Sequence, residues 1–364
     1  MSTIVLSAGG TGGHLFPAQA LATELLRRGR RIVVMTDTRG RNYDTVFPGV
    51  TIDTVPSASP NNTDVAGQIL APFEILRGIL IGFVKLLRLK PAAVIGFGGY
   101  PSLPVMIAAW LAGLPTAVHE QNAVLGRVNR LIAGNVRAIA VSFPLARFAP
   151  KNVGRVNYTG NPVRPEAVAL AHSPYEPPGP EGEIRLLVFG GSQGARALSQ
   201  LVPPAIASMP DSLRSRLRVV QQARPEDLNA LNSAYAAAHI QAEISTFFTD
   251  LPERVRTAHL VICRSGASTV SELAVIGRPA VLIPYPYATD DHQTANAGVL
   301  ANAGAAWLVQ QREVKPETLS LLLQQIFTDP VELARRAELT ASLGKSDAAQ
   351  RLADLVDSIG GGLS

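Results

Sequence analysis

The chain has 364 residues and a single cysteine, Cys263, so no disulfide framework can hold it together and a reducing compartment is expected. Aromatic residues make up only 5% of it, and no arginine- or lysine-rich block is interleaved with them, which argues against nucleic acid as a partner. No uncharged apolar run reaches the length of a membrane span. The first residues lack a basic stretch ahead of their apolar run, so they do not read as a signal peptide. D-x-D spacing and a second His/Asp cluster are both missing, so neither a metal nor another cofactor is expected.

What is present fits a globular enzyme of more than one domain. Apolar residues are 47% of the chain and charged residues 17%, which excludes a disordered polyelectrolyte. The length exceeds one ordinary core. The net charge of +5 suits anionic partners, either acidic headgroups or phosphorylated substrates.

Two segments repeat one pattern. I-V-L-S-A-G-G-T-G-G-H, from Ile4, and R-L-L-V-F-G-G-S-Q-G-A-R, from Arg185, each read as apolar strand, glycine loop and helix. V-I-G-F-G-G-Y, from Val94, and V-I-C-R-S-G-A, from Val261, form a second pair; each leads through a helical stretch to a G-x-P turn and a strand. A pattern that recurs half a chain apart predicts two α/β domains of one architecture, each with a parallel sheet. The division is expected at the T-G-N-P-V-R-P run, giving domains 1–161 and 162–344. The last helix, within 345–364, is a candidate to pack back on the first domain.

Glycines between a strand and a helix let backbone N–H groups approach an anion, and the helix N-terminus adds positive potential. The plain alternative is a tight turn, which matched loops in both halves make less economical. Two familiar phosphate motifs fail on spacing. The dinucleotide fingerprint would need glycine where Leu15 stands, and a Walker loop ending in Gly344-Lys345-Ser346 would need glycine at Leu339. That tripeptide reads as a helix break.

Four further stretches carry chemistry. His14 follows the first glycine loop and is a general-base candidate, its ordinary pKa lying near the operating range. H-E-Q-N, His119 to Asn122, ends a strand; Glu120 is a second base candidate and His119 reads as structural. R-S-G-A-S-T-V-S-E, Arg264 to Glu272, offers backbone and hydroxyl donors at a helix start, with Glu272 placed for a ribose diol; the competing reading is a capping box. D-D-H-Q-T-A-N-A, Asp290 to Ala297, offers His292 and Gln293 to sugar hydroxyls or simply caps a helix. Cys263 reads as inert packing. Finally, Gln68–Lys90 is basic and apolar at helical spacing, which suits either a buried domain helix or the surface of an anionic membrane.

Taken in order, G-G-T-G-G-H-L-F-P, G-F-G-G-Y, H-E-Q-N, G-N-P-V-R, G-G-S-Q-G-A-R, C-R-S-G-A-S-T-V-S-E and D-D-H-Q-T-A-N-A resemble the MurG family of bacterial peptidoglycan N-acetylglucosaminyltransferases. The resemblance implies two Rossmann-like domains facing a cleft, the GT-B fold. It implies metal-independent, inverting transfer of GlcNAc from UDP-GlcNAc to the C4 hydroxyl of undecaprenyl-pyrophosphoryl-MurNAc-pentapeptide, at the cytoplasmic face of the plasma membrane. It also implies roles. Thr11, Gly12 and Gly13 would border donor sugar and acceptor pyrophosphate, with His14 as base. Asn122 would hold the GlcNAc, and Arg164 and Ser192 would meet the diphosphate. Phe248 would offer backbone groups to uracil. Ala267, Ser268 and Thr269, with Val270 and Ser271 beside them, would meet phosphate and sugar. Glu272 would take the ribose and Gln293 the sugar, while Gly98, Gly99 and Tyr100 would belong to the acceptor side. One segment departs: many members carry H-Q-x-G where this chain has Gln221-Gln222-Ala223-Arg224, so no role passes to Gln221 or Arg224. A UDP-GlcNAc 2-epimerase and a non-catalytic nucleotide-sugar sensor are the rival readings.

Overall fold

A computed structural model describes residues 2–10, 12–37, 46–58, 65–191 and 195–361, with backbone only for 65–69. Residues Met1–Arg164 and Lys345–Ser364 form one compact unit and Pro165–Gly344 another. The division therefore falls after Arg164 rather than after residue 161.

The first unit holds the strands β1 Thr3–Ser7, β2 Arg31–Thr36, β3 Thr51–Thr54, β4 Ala93–Gly96, β5 Thr116–Glu120, β6 Ala138–Val141 and β7 Val156–Tyr158. They pair in parallel in the order β3-β2-β1-β4-β5-β6-β7. The strands are apolar on both faces because helices cover both faces. Ile4, Leu6, Ile32, Val34 and Ile95 point into one core, and Val5, Val33, Met35 and Val94 into the other.

The second unit repeats the plan with β8 Ile184–Phe189, β9 Leu217–Gln222, β10 Gln241–Ser245, β11 Leu260–Cys263, β12 Ala280–Leu282 and β13 Ala306–Leu308, in the order β10-β9-β8-β11-β12-β13. Both orders reverse between two central strands, β1 and β4 in one unit and β8 and β11 in the other. In open parallel sheets, ligands bind outside the carboxyl ends of the strands at such a reversal. The four glycine loops all lie there: Gly9–Gly10 after β1, Gly98–Gly99 after β4, Gly190–Gly191 after β8 and Gly266 after β11.

Two connections are informative. Gly344-Lys345-Ser346 lies between the helices Pro330–Ser342 and Ala348–Ile359 and breaks the helical run. A Cβ at Gly344 would stand 2.5 Å from the Ala274 carbonyl oxygen, so only glycine fits. The chain then returns to the first unit. Leu352, Ala353 and Val356 enter its core beside the helix Gly12–Arg27. Arg28 pairs with Asp354 at 2.7 Å and Asp357 at 3.1 Å, and Arg30 pairs with Asp357 at 2.8 Å.

The helix Val65–Leu89 divides the two readings of its sequence between its faces. Ala71, Gly78, Gly82 and Leu86 are buried, and a Cβ on Gly78 would collide with the Pro56 carbonyl. Leu70, Phe73, Leu76, Leu80, Val84 and Leu87 form a stripe at helical spacing and are all exposed, Phe73 to 69%. Among the described residues no helix is long and apolar enough to cross a membrane.

The C-terminal helix predicts a stability effect confined to the first unit. Leu352 is fully buried, so Leu352→Ala is expected to cost about 2–5 kcal/mol. The chain has two tryptophans, Trp110 in the first unit and Trp307 in the second. In a Trp307→Phe background, urea unfolding followed by Trp110 fluorescence should show the loss; an unchanged midpoint would mean that the helix is not part of that cooperative core.

Candidate active site

In the first unit, the helix Gly12–Arg27 starts directly after the β1 glycine loop and places His14 in its first turn. Gly9 must be glycine because a Cβ there would meet Pro101 and the Thr36 hydroxyl, each at 2.8 Å. Gly98 and Gly99, at φ of 82° and 73°, adopt the left-handed backbone that glycine permits. They also flank the imidazole. A Cβ on Gly98 would lie 3.5 Å from His14 Cε1, and one on Gly99 3.5 Å from His14 Nε2. The β4 loop is therefore a backbone wall beside the outer edge of that ring, and Tyr100 follows it in a short 3-10 turn with Pro101 and Ser102.

H-E-Q-N ends β5 and turns inward. Glu120 is buried and its carboxylate is filled: Oε1 accepts from the Asn122 N–H at 3.0 Å and Asn122 Nδ2 at 3.2 Å, and Oε2 accepts from the Gly126 N–H at 2.7 Å and Asn129 Nδ2 at 2.8 Å. Four donors on one carboxylate set the path of the loop that carries Asn122. The second base candidate of the sequence is thus also the anchor of that loop. Gln121 donates from Nε2 to the Phe97 carbonyl at 3.0 Å, and its Oε1 lies 3.2 Å from His14 Nδ1. His119 lies behind it, fully buried, with Nε2 at 3.3 Å from the Gly160 carbonyl. Arg164 lies 5.9 Å over the Phe16 ring. Gly12 and Gly13 open the helix; Thr11 lies outside the described residues.

In the second unit, the helix Ala267–Ile276 begins at the end of the β11 loop. Its N-cap is Gly266 and no side chain caps it, so the capping-box alternative for Ser268, Thr269 and Glu272 is not what the chain builds. The amides of Ala267, Ser268 and Thr269 are the open donors of that terminus. Among the described residues the hydroxyls of Ser268 and Ser271 are buried without a hydrogen-bond partner. Glu272 is buried one turn in, while the side chain of Val270 is fully buried in the core, so only its backbone is placed for a ligand. Ser265 Oγ donates to the Gln293 carbonyl at 2.8 Å, which joins this loop to the helix His292–Ala301. Gln293 Oε1 accepts from the Tyr285 N–H at 2.9 Å, so its amide nitrogen is turned outward as a donor. His292 points its Nδ1 at the Thr289 carbonyl, 2.8 Å away, and closes a local turn. Phe248 is buried under Arg254, whose guanidinium lies 4.3 Å from the ring centroid; its backbone N–H and C=O make no hydrogen bond among the described residues. Ser192 lies outside the described residues.

Three positions escaped the sequence reading. Arg264 is buried and donates to the carbonyls of Ile283 and Pro284, each at 3.0 Å, and to Gln311 Oε1 at 2.6 Å, which clamps the ends of β11 and β12. Burial pushes its guanidinium below its ordinary pKa. Gln222 accepts from the Gly190 N–H at 3.3 Å and donates to the Thr246 carbonyl at 3.2 Å, so it ties the β8 glycine loop to the segment leading to Phe248. Its neighbour Gln221 is wholly buried and takes the Tyr235 hydroxyl, a packing role. Gln121 is the third. Each is a polar residue at the carboxyl end of a strand, which was the available signal. Cys263 is buried in β11 with its thiol pushed up by burial, consistent with inert packing. Among the described residues no group of three His, Cys, Asp or Glu side chains could hold a metal ion.

With these loci described, the comparisons are specific. Residues 4–141 match the glycosyltransferase family 28 N-terminal domain and residues 185–352 its C-terminal domain. The chain belongs to the MurG branch of glycosyltransferase family 28. It is 50% identical, over 98% of its length and 94% of the relative's, to the UDP-N-acetylglucosamine–N-acetylmuramyl-(pentapeptide) pyrophosphoryl-undecaprenol N-acetylglucosamine transferase of Rhodospirillum centenum. The protein of that name from Paramagnetospirillum magneticum is 49% identical over 97% of this chain and 95% of its own. The crystal structure of Acinetobacter baumannii MurG superposes with a TM-score of 0.82 at 30% identity, covering 98% of this chain and all of that one. The two Rossmann-like units thus constitute a GT-B fold.

His119 carries a pH prediction. Burial holds its imidazole down to about 4, the His14 ring pushes the same way, and the bond to the Gly160 carbonyl pushes back. An unfolded histidine titrates near 6.5. Between those values the unfolded chain binds a proton that the folded chain refuses. The contribution is therefore present above pH 6.5 and is lost as pH falls towards 4, by about 3 kcal/mol at ~1.4 kcal/mol per pH unit. Unfolding of the first unit, read by Trp110 at pH 7.5 and at pH 4.5, should show a smaller pH difference in His119→Asn than in the parent chain. An equal difference would show that His119 does not carry the effect.

Proposed function

We propose that this chain transfers N-acetylglucosamine from UDP-GlcNAc to the C4 hydroxyl of undecaprenyl-pyrophosphoryl-MurNAc-pentapeptide, with inversion at the anomeric carbon. The observation that carries the reading is half-identity, over nearly the full length, to transferases of that name, combined with glycine loops at the strand-order reversal of both units.

An inverting transfer is an in-line displacement. The acceptor hydroxyl must lose its proton as it attacks, and the departing diphosphate must have its charge held. His14 supplies the base. It stands in the first turn of a helix, with the glycine backbone of the β4 loop beside its ring. The leaving group is chiefly the work of the second unit: the uncapped amides at Ala267–Thr269, the Ser268 hydroxyl and Ser192 meet phosphate, and Arg164 of the first unit is a further donor. Glu272 takes the ribose diol, the open backbone of Phe248 takes the uracil edge, and the outward amide of Gln293, with Asn122, takes sugar hydroxyls. Gly12, Gly13, Gly98, Gly99 and Tyr100 border the acceptor. Ser271 supports the phosphate-facing turn.

UDP release measured with and without a MurNAc-pentapeptide pyrophosphoryl-lipid analogue tests the reaction. Acceptor-dependent release with a β-linked disaccharide product is expected. His14→Ala should lower kcat by ~10²–10⁴-fold, the range for a positioned base. Tight donor binding without release of UDP would point instead to an epimerase or a sensor.

The same reading places the enzyme on the cytoplasmic face of the plasma membrane. The exposed stripe Leu70–Leu87 carries Arg77, Arg88 and Lys90, and the neighbouring helix Leu103–Leu111 adds exposed Trp110 and Leu111. Apolar side chains bordered by cations suit an anionic bilayer surface. Leu76→Glu/Leu80→Glu should lose sedimentation with phosphatidylglycerol vesicles while keeping its turnover on a water-soluble acceptor analogue. Retained sedimentation would remove this surface from the membrane reading.

A further inference from the structure

A histidine acts as a base only through the nitrogen that carries no proton, so the tautomer of His14 decides whether its outer nitrogen can work. Gln121 settles it. The Gln121 amide is wedged against two backbone carbonyls, Phe97 O at 3.0 Å and His119 O at 3.4 Å. Carbonyls only accept, so the amide NH2 must face them. Its oxygen is thereby turned to His14 Nδ1 at 3.2 Å. An amide oxygen only accepts, so Nδ1 must carry the proton and Nε2 must be bare.

The chain of bonds continues behind the amide and agrees with it. His119 Nε2 lies 3.3 Å from the Gly160 carbonyl, which again can only accept, so that nitrogen is protonated. His119 Nδ1 is then a lone pair, 3.2 Å from the second N–H of Gln121. Ser142 Oγ, 3.4 Å from His119 Nε2, can serve as a second acceptor for its proton, and the orientations from Gly160 to His14 follow from the carbonyls of Gly160, Phe97 and His119. His119 is fully buried and stays neutral at working pH, so it does not reverse the chain. Gly160 belongs to G-N-P-V-R, and its own position is tight, since a Cβ there would meet Lys345 Cβ at 2.8 Å.

We propose that Gln121 is a positioning residue that, with His119 and the Gly160 carbonyl, locks His14 in the Nδ1-protonated tautomer and aims a bare Nε2 at the acceptor hydroxyl. The inference rests on the reading of His14 as the base. When the hydroxyl proton moves to Nε2, the ring becomes imidazolium, and its Nδ1–H stays on Gln121 Oε1. The amide orients the ring without adding a negative charge beside it. A carboxylate in the same place would raise the ring's affinity for its proton.

The test begins with the unaltered protein. The chain has six histidines, and selective ¹⁵N-histidine labelling, with His14→Gln to assign the signal, reads the tautomer of the neutral ring directly. Protonated Nδ1 with bare Nε2 is expected; a neutral ring protonated at Nε2 overturns the proposal without any variant. In Gln121→Leu the lock is gone. Its kcat should fall by ~10- to 100-fold, short of the ~10²–10⁴ for losing the base, with KM for UDP-GlcNAc unchanged and Nε2 protonation appearing in the spectrum. In Gln121→Glu the limb of the pH–rate profile that reports the base should move to higher pH. An unmoved limb together with unchanged kcat in Gln121→Leu overturns the proposal. Failure of the underlying reading looks different: His14→Ala would then retain turnover, whatever the tautomer.

Discussion

Parallel pairing of β1 with β4, and of β8 with β11, is the constraint on which the rest depends. At each of these pairs the strand order reverses, and the two following loops leave in opposite directions from neighbouring strand ends. A concavity opens there without any side chain having to build it. Only small residues can line it closely. Gly9 is pressed against Pro101 and Thr36 and is required by approach distance, while Gly98 and Gly99, beside the His14 ring, are required by backbone angle. The fold and the site are therefore not separable in these loops.

A second theme is the use of backbone carbonyls to aim polar side chains. Arg264 is held by Ile283 and Pro284, Gln121 by Phe97 and His119, and Gln222 by Thr246. A carbonyl cannot exchange donor and acceptor roles, so each of these side chains has one satisfied orientation. Buried polar networks that are fully satisfied specify a unique arrangement. Side-chain partners of ambiguous role would have left alternatives. Glu120 is the complementary case, a carboxylate that gathers four donors and sets the loop from Asn122 to Asn129.

The architecture was legible in the sequence because its signals are local and repeated. Apolar strand, glycine loop and helix recur in the same order twice, and the pairs starting at Val94 and Val261 mark the same strand position in each unit. His14, Glu272 and Gln293 were legible as polar residues in those loops. What was not legible depends on distances between segments far apart in the chain. Glu120 has the composition of a base, yet Gly126 and Asn129 fill it. Ser268 to Glu272 has the composition of a capping box, yet the helix is capped by Gly266 with no side chain involved. Val270 shares a ligand-facing turn but points to the core. Gln121 and Gln222 carry no composition signal beyond their place at strand ends, and their distant partners His14 and Thr246 lie 107 and 24 residues away. The long helix was ambiguous in sequence because it satisfies both readings, one on each face.

The uncapped helix at Ala267 bears on function through its cost. A serine, threonine or aspartate at the N-cap would stabilise such a helix over glycine by only about a few tenths of a kcal/mol, so what glycine changes is that no side chain covers the first amides. Here Gly266 stands at the cap, although serine and threonine follow within three residues. Among the described residues the hydroxyls of Ser268 and Ser271 are buried without partners, a state that costs about 1–3 kcal/mol for each unsatisfied group. Neighbouring turns show that the chain can satisfy such groups. Ser265 Oγ reaches the Gln293 carbonyl, and Thr294 Oγ1 reaches Asp291. The open amides of Ala267–Thr269 and these two hydroxyls lie together at one helix start, beside a strand-order reversal. A partner suited to such a start is an acceptor rich in lone pairs and negative in charge, since the first amides and the helix dipole favour an anion. A diphosphate meets both requirements, and a nucleotide-sugar donor brings one.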